Sequence, residues 1–300
     1  MLAHAASPAS EGSMTGSCPW SVLFLALFCL AVVGCSGTEG RAGGIEGPFE
    51  SLSDLTVHEL PENHGAASWL SKFATAFGVP VYASAEVPDA KVLHAATVMA
   101  EYLDNDEDGV VDDPAVVKSL VENNAALVMF ETAEALETSG ILESSWADQI
   151  WGQDLAADET AIPGRFDATL EEVLHLINTA GHAQVYPDFL GMERRSALTE
   201  AMDVARGGRF LSVPSNYPGE AWYHYSDSTC DYSCMATEYL YWGLTSLLGA
   251  QADRCDEISV EWKLCTPTQV QQTDSALHTL LADPELHMPS VLPDGRITPP

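Results

Sequence analysis

DNDEDGVVDD, Asp104 to Asp113, sets six carboxylates and one amide in ten residues. Upstream, Lys91 to Leu103 (KVLHAATVMAEYL) spaces its apolar residues at helical intervals. Downstream, Pro114 opens PAVVKSLVENNAAL at the first helical position, where proline is favoured. The stretch therefore predicts a helix, an acidic loop and a second helix. Like charges this close repel unless a cation sits among them. Asp104, Asp106, Asp108, Gly109 and Asp112 spell D-x-D-x-D-G-x-x-D. Alternation gathers three carboxylates around one point, and Gly109 permits a sharp turn. Val110 offers a backbone carbonyl, and Asp112 adds oxygen directly or through water. A hard cation such as Ca²⁺ collects about six to eight oxygens in this way.

The loop resembles that of an EF-hand, and also the shorter acidic calcium loops of other extracellular proteins. It departs from the EF-hand at the twelfth position, where Ala115 stands in place of a bidentate glutamate. A calcium site that braces the fold is expected from it, not a sensor that opens.

Around this motif the chain reads as mostly helical. Helical patterns cover 68–77, 90–103, 114–124, 131–138, 168–180, 195–206, 235–250 and 268–282. Short strands are expected at Val79–Ala83, Ala126–Phe130 and near Ile150–Leu155. The expected fold is α+β: one mostly helical domain over 67–300, with a few short strands and the helix–acidic loop–helix motif. No internal repeat is visible.

A second constellation lies in FDATLEEVLHLINTAGH, Phe166 to His182. Leu170, Val173, Leu174 and Ile177 form an apolar stripe, with Glu171, Glu172, His175 and Asn178 opposite. Glu171 and His175 are four residues apart, so both can point at one atom. Thr169 and Glu172 also fit a helix capping box, which needs no metal. Farther on, Met235 to Gln251 carries a single charged residue, Glu238, in a segment apolar enough to be buried. A buried carboxylate is costly unless paired or metal-bound. Arg206 or Arg209 is one possible partner.

The run Glu171-Glu172-Val173-Leu174-His175 resembles the H-E-x-x-H helix of zincin metallopeptidases, with glutamate in place of the first histidine. That resemblance implies Glu171 and His175 as zinc ligands and Glu172 as general base toward a water molecule. It also implies a third ligand from a downstream helix, a role that Glu238 matches. The stretch Ala147 to Ile162 would supply the strand before the helix. Two lone histidines are read as structural: His182 in a loop beyond a helix end at Gly181, and His94 half-buried before the acidic loop.

The N-terminus reads as an address. VLFLALFCLAVV, residues 22 to 33, is an apolar run of signal-peptide length, too short for a comfortable membrane span. It ends in Val32-Val33-Gly34-Cys35, which resembles the lipobox of bacterial lipoprotein signal peptides, although no Lys or Arg precedes it. Residues 1–35 are thus expected to be a signal peptide, with Cys35 the lipidated residue. Residues 36–66 begin Gly-rich and are expected to be a flexible tether. Four further cysteines, Cys230, Cys234, Cys255 and Cys265, suit two disulfides in an oxidising compartment, with three pairings open. A zinc site on His224, Cys230 and Cys234 is the alternative. Trp222, Tyr223 and Tyr225 are expected in the core of a stapled loop rather than around a peptide or glycan pocket.

A formal net charge of −32, from 12 Lys+Arg against 44 Asp+Glu, excludes nucleic acid as a natural partner, because phosphate would be repelled. Two functions fit. One is an exported calcium-binding protein of the cell envelope, held at a membrane surface by its lipid and without catalysis. The other is a zincin-like metallohydrolase that uses zinc besides calcium, with Glu172 as base.

Overall fold

The computed structural model describes residues 55–193 and 195–296. Residues 1–35, expected to be a signal peptide ending at Cys35, lie outside them. The centre of the molecule is β4 (Ala125–Phe130), whose six residues are all buried. Ala125, Leu127 and Met129 point into the main core, while Ala126, Val128 and Phe130 point into a smaller one with Leu136, Ile141 and Trp146. That alternation is the period-two geometry of a strand covered on both faces.

In chain order the sheet holds β1 (His58–Glu59), β2 (Lys72–Ala76), β3 (Val79–Ala83), β4 and β5 (Trp151–Ala156), and the spatial order is the same. β1, β2 and β3 pair antiparallel; β3, β4 and β5 pair parallel. β5 is an edge. Between β3 and β4 run α1 (Asp89–Leu103), the acidic loop and α2 (Pro114–Glu122); between β4 and β5 lies α3 (Ala133–Ser139). After β5 the chain is helical: α4 (Thr169–Ile177), α5 (Ala183–Val185), α6 (Pro187–Leu190), α7 (Ala197–Ala205), α8 (Tyr232–Leu247), α9 (Cys255–Ile258), α10 (Pro267–Thr273) and α11 (Ser275–Leu281). The domain is single and mostly helical, and α1 and α2 flank the acidic loop as expected.

Four expectations need correction. The stretch 68–77 is not a helix: its second half is β2, which turns into β3 through Phe77 (φ 47°) and Gly78 (φ 84°). Two consecutive positive φ values make the turn that matches strand twist, and Phe77 is an unusual residue to adopt one. The stretch 36–66 is not tether throughout, because β1 pairs with β2 and Ala66 is fully buried. The run 268–282 is two helices, interrupted at Asp274, whose carboxylate caps the second by accepting from the Leu277 amide at 3.2 Å.

The fourth correction concerns the helix at 168–180. Beyond α4 it does not stop at Gly181 but passes through a π-helical turn, Asn178–His182, into α5. His182 is buried there, and burial lowers its pKa to about 4, so it is neutral. A Cβ on Gly181 would come within 2.8 Å of Val116 Cγ1 and 3.3 Å of Leu120 Cγ. Glycine is needed here for the close approach of α2, not to end the helix.

Both disulfides form: Cys230 with Cys234, and Cys255 with Cys265. The first removes two thiolates from the His224–Cys230–Cys234 zinc alternative, which is thereby overturned. Tyr223 and Tyr225 are buried in the main core, as expected for a stapled loop, while Trp222 packs against its margin.

Candidate metal sites

α4 begins without the capping box. Ala168 is its N-cap and makes no side-chain cap. Asp167 does that work, its Oδ1 accepting from the amides of Ala161 (3.0 Å) and Thr169 (3.1 Å). Its Oδ2 meets His94 Nε2 at 2.6 Å, and Tyr102 donates to the Leu170 carbonyl at 2.9 Å. α1 thus fixes the start of α4, and Glu172 is free for another role.

That role is taken beside β5. Gln153 donates to Glu172 Oε2 at 2.6 Å, and the same oxygen lies 3.5 Å from His175 Nδ1. On the other side of the imidazole, Nε2 faces Glu238 Oε2 of α8 at 3.8 Å. Glu171, Glu172 and His175 each offer a ligand atom, all within 4.8 Å of one another. Ligands on one zinc, at about 2.0–2.2 Å from it, are separated by at most about 4.4 Å, so small side-chain rotations would close this cluster, which does not include Glu238. Neither arginine proposed for Glu238 reaches it: Arg206 pairs with Asp203 at 2.9 Å and Arg209 approaches the same carboxylate at 3.9 Å.

Burial and the crowding of carboxylates dominate the electrostatics. Burial lifts Glu171 to a pKa of about 7, aided by the neighbouring charge of Glu172. Burial lifts Glu238 to about 8; the nearness of His175 opposes this, and Glu171 and Glu172 add to it. Burial and Asp154 push Glu172 well above the usual carboxylate range. Among the described residues neither ring nitrogen of His175 has a hydrogen-bond partner, nor has Glu238 Oε2. Buried polar atoms are rarely left so, and several together mark a place for a ligand.

Sequence reading missed the supporting groups. Tyr225 donates to Glu238 Oε1 at 3.2 Å. Tyr241 hydrogen-bonds Glu171 and sets its ring edge-on to His175, with centroids 5.6 Å apart. Gln153 and Asp154 come from an edge strand. Only the aromatic richness of the segments hinted at the tyrosines; nothing local marks Gln153.

In the acidic loop, ligand atoms of Asp104, Asp106 and Asp108 also lie within 4.8 Å of one another. Asp104 is buried and accepts from the amides of Asp108 (3.1 Å) and Gly109 (2.9 Å). Glu107 (φ 56°) and Gly109 (φ 88°) make the turn. Asp112 closes the loop, its Oδ2 accepting from the Asn105 amide at 2.8 Å. No ion pair among the described residues involves these four aspartates. Val110 is half exposed, and its amide donates to Asp108 at 2.9 Å. Two candidate metal-ligand clusters therefore exist, one buried and one at the surface.

Compared with protein-family models, with curated proteins and with solved structures, the chain matches none.

Proposed function

We propose that this protein is a metal-dependent hydrolase, with a zinc-type cation at Glu171, His175 and Glu238 and a structural Ca²⁺ in the acidic loop. The observation that carries the reading is His175: a buried imidazole with neither nitrogen hydrogen-bonded, set among three carboxylates on two helices. One imidazole and carboxylates suit a borderline cation better than a soft one. A divalent ion bound here would polarise a carbonyl and make water more acidic. The chain's own contribution is positional. Glu238 is held by Tyr225 and Glu171 by Tyr241, so neither is free to rotate away. Glu172, whose Oε2 lies 3.5 Å from His175 Nδ1 and which converges with Glu171 and His175, would be the base that takes the proton from attacking water. Gln153 keeps its carboxylate in place.

Elemental analysis of the full secreted chain is expected to find one transition-metal ion per molecule, and His175→Ala to find none. Equal metal content in wild type and variant would overturn the reading. Peptides are the first substrates to assay, because the helix motif resembles that of peptidases.

Export to the cell envelope, with a lipid on Cys35, completes the proposal. Two disulfides support an oxidising compartment. No helix among the described residues is long and apolar enough to cross a membrane. The calcium proposal rests on Asp104, Asp106 and Asp108 converging without a cationic side chain, with Val110 and Asp112 as further oxygen donors. Ca²⁺ bound only to the native state should stabilise it by about 2.7 kcal/mol at a hundredfold excess over Kd. Adding Ca²⁺ to the metal-free chain is expected to raise the melting temperature of wild type, and to leave that of Asp106→Ala unmoved. A melting curve indifferent to Ca²⁺ in both proteins would remove calcium from the account.

A further inference from the structure

Asn178 is fully buried, and neither atom of its carboxamide has a hydrogen-bond partner among the described residues. The two residues that follow it are well satisfied. Thr179 donates to the His175 carbonyl at 2.8 Å and accepts from Trp151 at 3.1 Å. The Ala180 carbonyl accepts from Ser119 at 2.8 Å and Asn123 at 3.0 Å. Within the turn, unmet hydrogen bonding is left at both atoms of the Asn178 carboxamide and at His182 Nδ1.

Its position says what it faces. Residues 171, 175 and 178 are spaced by four and three, so they share one face of a helix. Asn178 keeps helical backbone angles (φ −71°, ψ −46°), so the face continues to it. α4 packs against α8. Along that contact Glu171 meets Tyr241 and His175 meets Glu238, so residue numbers rise on one helix as they fall on the other. Extended by one turn, that register would set Asn178 towards the turn of α8 just before Glu238. His175 and Glu238, which face each other across that contact, also carry unpartnered polar atoms. A π turn directly after a ligand helix is also a recurrent mark of functional sites.

We infer that Asn178 is a further member of the metal centre, its amide oxygen joining His175, Glu171 and Glu238 around the cation. This rests on the metal reading above. An amide adds an oxygen without adding charge, which suits a site already crowded with carboxylates.

The test is titration of the metal-stripped full chain with Co²⁺, followed by visible absorption, for wild type, Asn178→Ala, Asn178→Leu and Asn178→Asp. Removing the amide by Ala or Leu is expected to weaken Co²⁺ binding about 10–100-fold and to change the absorption bands. Asn178→Asp, which keeps an oxygen in place, should bind at least as tightly as wild type. If Ala and Leu variants bind Co²⁺ with wild-type affinity and spectrum, the inference is wrong while the metal centre stands. If wild type takes up no Co²⁺, the centre itself falls. Should the Ala and Leu variants fail to fold, the Asp variant decides: binding weaker than wild type counts against Asn178, and binding as tight or tighter supports it.

Discussion

Stripped of metal, the protein should lose stability as pH rises from about 4.5 to about 8; loaded with zinc, it should not. The sign follows from Glu171 and Glu238, whose pKa values rise to about 7 and about 8 in the folded chain. A carboxyl group with a raised folded pKa binds its proton more tightly when folded than when unfolded. Its stabilisation is complete below the unfolded pKa and disappears as pH climbs through the folded one. Taken singly, shifts of this size correspond to roughly 3–5 kcal/mol each. The two groups share one site, so together they give less than the sum. A divalent cation replaces the protons and removes the penalty, which leaves the loaded protein level over the same range. The increment due to metal therefore widens with pH. Urea midpoints at pH 5, 6.5 and 8, with and without zinc, measure it. Glu238→Gln isolates the site from the many other acids: its metal-free slope should be shallower than that of wild type. A metal-free midpoint that rises with pH, or a slope untouched by Glu238→Gln, would count against a site dominated by buried, crowded carboxylates.

What the sequence allowed to be read depended on how local each interaction is. The acidic loop was legible because its spacing, its Gly109 and both flanking helices lie within about thirty residues of chain. The convergence of Glu171, Glu172 and His175 was legible because helical periodicity brings them together, and the approach of Glu238 to His175 because a lone charge in an apolar helix needs a partner. The first hairpin was not legible: Phe77 takes a positive φ that residue type does not suggest, and the alternation in β2 is only five residues long. The role of Gly181 was misread for a similar reason. A glycine after a helix usually ends it, and only the packed α2 reveals that this one admits a neighbouring helix. Gln153 was invisible because its meaning comes from Glu172, reached by folding an edge strand beside α4.

Exchanging Glu172 for Gln should separate holding metal from using it. The side chain of Glu172 keeps a quarter of its surface exposed, against 1% for His175 and 3% for Glu238. It is thus the carboxylate of the cluster nearest to solvent and to an incoming substrate. Gln153 fixes Oε2, and the raised pKa, from burial and Asp154, makes this group a stronger base once it is ionised. Glutamine preserves size and removes the basic oxygen. If Glu172 is the general base, Glu172→Gln should retain its transition metal and lose about 10²–10⁴-fold in kcat on any peptide the wild type cleaves. The competing role comes from the 3.5 Å approach to His175 Nδ1. A carboxylate there can orient the imidazole so that Nε2 faces the metal, and its loss would cost metal affinity about 10–100-fold. The two roles differ in what is measured first. Intact metal content with lost turnover assigns the base; metal lost in step with turnover makes Glu172 the group that aims His175, and Asp154 on the neighbouring strand then becomes the acid to test as base.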